Sequence, residues 1–222
     1  MADKTDRVSV TRERILTAAE RLFAEHGVFA VSNRQVSEAA GQGNNAAVGY
    51  HFGTKTDLVR AIARRHAEPI ERIRERMLAD MGDSADVRDW AACLVRPVTE
   101  HLAAQGSPTW YARFVAQVVT DPALRAIIAE QTRSSPSLRR TIEGFHRCLP
   151  ELPADVRAER GDMARQLITH MCAERERALA EGAPTPRSSW HDAATGLVDA
   201  LVGLWLAPVT VTQASAERSE RC

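Results

Sequence analysis

Apolar residues recur at three- and four-residue spacing along the whole of this chain, between clear stops, and nowhere alternate singly as a half-buried strand requires. Such a chain can cover a core only with helices. The first is expected from about Thr11, a good N-cap, to His26, with Gly27 at its stop. Its stripe is Ile15, Ala18, Ala19, Leu22 and Phe23. Ser32 and Gln35 fit the S-x-x-Q capping box and open a short helix to Ala40, which Gly41 ends. A second short helix is expected from Asn44 or Asn45 to Phe52. Thr54 then caps a long helix with a stripe through Leu58, Val59, Ile62, Ile70, Ile73 and Met77, which Pro69 should kink.

Beyond Met81-Gly82-Asp83 the segments lengthen and become more uniformly apolar, with breaks at Gly106-Ser107-Pro108, Asp121-Pro122, Ser135-Pro136, Pro150 to Pro153 and Gly182 to Pro186. Ser107-Pro108 and Asp121-Pro122 read as caps followed by proline at the first helical position. About five helices are expected here. The pattern predicts an all-α protein in two parts: residues 1–66 with a linking helix to about 80, and residues 81–222.

Composition removes several classes. At 44% hydrophobic and 26% charged the chain is too apolar for a disordered protein. Basic and acidic residues balance at 29 each, so a nucleic-acid site has to be local. Cys93, Cys148, Cys172 and Cys222 are dispersed, which points to a reducing cytoplasm. Met1 to Val10 lacks the apolar core of a signal peptide. Ala193 to Val211 approaches the length of a membrane span, but Asp199 and Pro208 argue for a helix buried in protein, so no membrane partner is expected. No Gly-rich phosphate loop, G-x-S-x-G or H-E-x-x-H occurs, and no enzyme activity or cofactor is expected. The His146-x-Cys148 and His170-x-Cys172 pairs are isolated, and no metal site is read from them.

Residues 11 to 66 carry the functional signal. Two short helices around a glycine-bearing turn, braced by longer helices, describe a three-helix helix-turn-helix unit. Its second helix must enter the major groove of double-stranded DNA. That demands small residues for close approach and polar side chains near its start. Asn44, Asn45, Ala46, Ala47 and Gly49 supply them, and Asn pairs well with adenine edges. Val48 and Phe52 are expected to face inward.

This region resembles the DNA-binding domain of the TetR family of one-component bacterial regulators. The matching runs are Arg14-Ile15-Leu16-x-Ala18-Ala19-x-x-Leu22-Phe23-Ala24-x-x-Gly27, Val36-Ser37-x-Ala39-Ala40-Gly41, and Val48-Gly49-Tyr50-His51-Phe52-Gly53-Thr54-Lys55-x-x-Leu58. The resemblance implies that Tyr50, His51 and Lys55 contact phosphates. Ser32, Arg34, Gln35 and Thr54 are candidates for the same surface. Through Arg65 there are ten Lys or Arg against seven acids, so one head alone should bind weakly. A homodimer with recognition helices roughly 34–36 Å apart is therefore expected.

The second half is expected to hold a ligand pocket and a dimer face. Trp90, Leu94, Trp110, Tyr111, Phe114, Phe145, Met163, Leu167 and Met171 are candidate walls for an apolar small-molecule effector, with Arg113 and His170 as polar fixing points. Leu197, Leu201, Leu204 and Trp205 of the last helix are candidate dimer contacts. The expected function is a repressor that leaves its operator when an effector binds. The alternative is a DNA-binding regulator without an effector, whose second half would be fully packed.

Overall fold

Ten helices succeed one another along the residues that the computed structural model describes, 2–44 and 46–210. They are α1 (Ala2–His26), α2 (Asn33–Ala39), α3 (Ala47–Phe52), α4 (Lys55–Met81), α5 (Val87–Ala104), α6 (Tyr111–Thr120), α7 (Pro122–Ser134), α8 (Pro136–Arg147), α9 (Ala154–Ala180) and α10 (Trp190–Leu206). No strand occurs among the described residues. Asn45 and Cys222 lie outside them.

Local chemistry explains most boundaries. The capping box at Ser32 forms as expected: Gln35 N–H donates to the Ser32 hydroxyl, and Ser32 N–H donates to Gln35 Oε1. Gly41, at φ +68°, makes the left-handed turn after α2. Asp121 and Ser135 cap α7 and α8, each with proline at the first helical position.

Four expectations fail for identifiable reasons. α1 begins at Ala2, well before Thr11, because no Gly or Pro interrupts the intervening residues. α3 starts only at Ala47, since the Asn44 side chain accepts from Ala46 N–H at 2.9 Å and holds the preceding residues in a turn. Pro108 does not begin α6, which starts at Tyr111 instead. Its free N–H groups are met by a carboxylate from far away in sequence: Glu176 of α9 accepts from Ala112 N–H at 3.1 Å and Arg113 N–H at 2.9 Å. Six helices, not five, follow Met81.

The helices enclose two cores. One gathers Ile15, Phe23, Val36, Val48, Leu58 and Ile62 of α1–α4, and is completed by Phe114 and Val118 of α6 and Leu124 and Ile127 of α7. The other holds Trp90, Leu102, Phe145, Cys172, Leu197, Leu201 and Trp205. The N-terminal unit thus borrows part of its core from later helices. Tyr111 packs against both cores. Among the described residues, no helix is long and apolar enough to cross a membrane.

Candidate functional site

α2 and α3 present a polar surface held from behind by specific contacts. Val48 is fully buried, which seats α3 on the first core. Arg12 of α1 lies 4.3 Å from the centre of the Phe52 ring and donates to the His51 carbonyl, clamping the C-terminal end of α3. Outward, Tyr50 is 84% exposed, with Ala46 and Gly49 beside it; His51 is half-buried. Tyr50 and His51 sit edge to face at 5.0 Å. This places a hydroxyl and an imidazole on an otherwise small-residue face, the combination a groove-entering helix needs.

The remaining candidates divide between free and committed groups. Ala47 is only 7% exposed and packs in the core, so it is not a DNA contact; its methyl helps seat α3. Ser32 and Gln35 are exposed but engage each other in the α2 cap. Arg34 pairs with Glu38 at 2.7 Å on the open face of α2, an exchangeable surface bond. Asn44 is exposed. Thr54 is bound to Asp57 through a reciprocal cap, and these hydrogen bonds hold the Asp57 carboxyl below its usual range. Lys55 donates to the carbonyls of Val31 at 2.6 Å and Val28 at 3.2 Å. Its ammonium therefore ties the α1–α2 loop to α4, and at most one N–H remains for a phosphate.

Between α4 and α5–α10 lies a cavity of about 1000 Å³. Of the expected wall residues, Leu94, Tyr111 and Phe145 line it. The others do not. Trp90 is buried against Gly144, with its indole N–H on the Ser84 carbonyl at 2.9 Å. Trp110 and Phe114 belong to the first core, where Phe114 stacks with Phe23. Arg113 is paired with Glu176 at 3.2 Å. Met163, His170 and Met171 are exposed on α9 and do not line the cavity, to which Ala164, Ile168 and Cys172 contribute, and Leu167 packs half-buried in the second core. The dimer candidates need the same correction. Leu197, Leu201 and Trp205 are buried within the chain and leave little surface for a partner, and Leu204 is half-buried. Trp205 lines the cavity instead.

The family signature described as "Bacterial regulatory proteins, tetR family" matches residues 15–62, and that described as "Tetracyclin repressor-like, C-terminal domain" matches residues 92–203. The second alone spans half of the chain. This chain belongs to the tetR family. The tetR-family chain is 40% identical over 62 residues to the HTH-type transcriptional repressor AcnR of Corynebacterium glutamicum, covering 28% of this chain and 32% of that one. To AcnR of Corynebacterium diphtheriae it is 33% identical over 90 residues, covering 38% and 47%. The chain thus matches less than half the length of these relatives. Its fold is like that of the TetR-family regulator PfmR from Thermus thermophilus, with a TM-score of 0.54, 21% identity and coverage of 85% and 96%. It is also like the multidrug binding protein EbrR complexed with malachite green, with a TM-score of 0.51, 20% identity and coverage of 89% and 98%.

Several residues central to this tetR-family structure carried no sequence signal. Arg12 lies on α1 far from the helix-turn-helix in sequence and joins it only through Phe52 and the His51 carbonyl. Arg74 and Glu71 sit on the cavity side of α4, spaced like any exposed ion pair, yet Arg74 is buried. His146, also on the wall, is held below the ordinary imidazole pKa by burial and then by Arg157.

Proposed function

We propose that this chain is a DNA-binding transcriptional regulator that acts as a homodimeric repressor and is released from its operator by a small apolar molecule. The observation that carries the reading is α3, clamped by Arg12 and Val48 while offering Tyr50, Gly49 and Ala46 outward. The repressor names of the AcnR relatives support the same direction. α2 and α3 dock as a unit, with phosphate contacts from Tyr50, His51 and Arg34 and base contacts from Asn44 and from Asn45, which lies outside the described residues.

A second copy fits the outer faces of α9 and α10. Met163 and Met171 are 46% and 52% exposed on α9, and Ala200, Gly203 and Leu206 are exposed on α10. Small and apolar side chains on adjacent helices suit a helix-on-helix dimer. The effector reading rests on the cavity, which a fully packed regulator would lack. The EbrR complex with malachite green supports it by analogy of fold.

Binding to the DNA upstream of its own gene tests this reading. Retardation that weakens steeply with salt and a two-fold symmetric footprint are expected. Absence of any protected bases at low salt overturns it.

A further inference from the structure

Arg74 is 5% exposed and stands on the wall of the cavity. Its Nε–H donates to the Cys93 carbonyl at 3.2 Å and its Nη1–H to the Ser137 hydroxyl at 3.3 Å, while Glu71 lies 3.5 Å from Nη1. Nη2, with two N–H donors, has no acceptor among the described residues. Glu71 is engaged elsewhere, accepting from the Ser135 hydroxyl and from Ser137 N–H at the start of α8. The Tyr111 hydroxyl, also on the wall, has no partner among the described residues either, and Tyr111 and Arg74 lie close enough to act on each other's charge. Arg74 and Tyr111 thus bring two donor groups to the wall of one cavity, which Trp205, whose indole N–H also has no partner among the described residues, lines as well.

We infer that the cavity takes an organic carboxylate, its apolar body against Leu94, Val98, Phe145 and Ile168 and its carboxylate between Arg74 Nη2 and the Tyr111 hydroxyl. A guanidinium edge and a phenol match the two oxygens of a carboxylate, and a charge-assisted pair beside a buried guanidinium discriminates against a neutral head. Burial pulls the Arg74 pKa down in spite of Glu71, as for a cation whose compensation is incomplete. Other ion pairs with a member on the wall, Arg165 with Asp162, Arg72 with Glu68 and Arg60 with Asp57, involve more exposed side chains than Arg74. The inference rests on the effector reading above and names its chemistry.

Three fluorescent probes with a pyrene body on a butyl chain test it on the full chain: 1-pyrenebutanoate, 1-pyrenebutanol and 1-pyrenebutylamine. The carboxylate should bind about tenfold tighter than the alcohol or the amine, the difference one charge-assisted contact makes. Arg74→Gln should erase most of that preference, and Tyr111→Phe, which keeps its ring, should reduce it severalfold. If Arg74→Gln fails to fold, Tyr111→Phe and Arg74→Lys carry the comparison. Equal or tighter binding of the alcohol or amine, a preference unchanged in the folded variants, or no binding of any probe overturns the inference. If the alcohol or amine loosens DNA binding while the carboxylate does not, the effector reading stands and this inference falls. If the carboxylate binds with the expected preference but leaves DNA binding unchanged, the carboxylate site stands and the effector reading falls.

Discussion

The ring of Tyr111 lies 3.8 Å from that of His66 and only 17° from parallel, so a wall of the cavity rests on the helix that follows the helix-turn-helix. His66, on α4, meets Glu20 of α1 through Nε2 at 2.8 Å and His101 of α5 through Nδ1 at 2.8 Å. All three are buried. Glu20 sits on the same helix as Arg12, the clamp of α3.

Replacing Glu20 removes the partner of a buried imidazole and of Arg65, 3.9 Å away. Glu20→Ala should cost about 2–4 kcal/mol of unfolding free energy, read from urea denaturation, because His66 keeps its buried polar edge without an acceptor. The Arg12 clamp on α3 should loosen with it, visible as faster amide exchange over residues 47–52.

Acid should destabilise the fold through His101. In the unfolded chain an imidazole takes its proton near pH 6.5; in the fold, burial and then the nearby His66 push His101 down to about 4. Between those values only the unfolded state holds the proton. Stability is therefore full above about pH 6.5 and falls as the pH drops towards 4, by up to roughly 3 kcal/mol for this group. Urea midpoints at pH 7.5, 6 and 5 measure the slope, and His101→Phe should flatten it.

Glu176→Gln tests the cap on α6. The carboxylate is almost wholly buried, accepts from the Thr109 hydroxyl and two backbone N–H groups, and faces the guanidinium of Arg113. Removing its charge leaves Arg113 unpaired at low exposure. A loss of about 2–4 kcal/mol is expected, detectable as a lowered Tm, against under 1 kcal/mol for Asp83→Asn, whose pair with Arg147 is exposed.

Gly144→Ala should be costly although it adds one methyl. A Cβ at this position would stand 2.3 Å from the Trp90 ring, too close for any real contact. The expected destabilisation is about 1–3 kcal/mol. Pairing it with Trp90→Leu should give a double variant less destabilised than the sum of the two, since the clash disappears with the ring.

Tyr50→Ala and Lys55→Ala should separate two roles that the family resemblance assigns jointly. Tyr50 is free and exposed, so its loss should weaken DNA binding alike for all sequences while leaving the Tm within about 1 °C. Lys55 also holds the Val28 and Val31 carbonyls, so its loss should lower the Tm by several degrees as well as the affinity.

Short-range chemistry was readable in advance. The Ser32–Gln35 and Thr54 caps, the inward Val48, and the start of α7 follow from residues within one or two turns, because capping and stripe formation act over that distance. The errors share a cause. Ala47, Arg113, Leu201 and Met171 each have the right residue type for the role expected, but type does not say which way a side chain faces once helices cross. α9 shows it plainly: Met163 and Met171 are exposed while Ala164, Ile168 and Cys172 line the cavity, and only packing chooses which side borders it.

What the order of residues determined by itself, then, was the helical class and the positions of most stops, consequences of contacts a few residues long. What only the assembled chain decided was where charges met over long sequence distances: Glu176 on the start of α6, Glu20 and His101 on His66, Arg74 at the cavity wall. Such contacts join residues 19 to 64 positions apart, and local propensity has no reach over that span because the pairing exists only after the helices have packed.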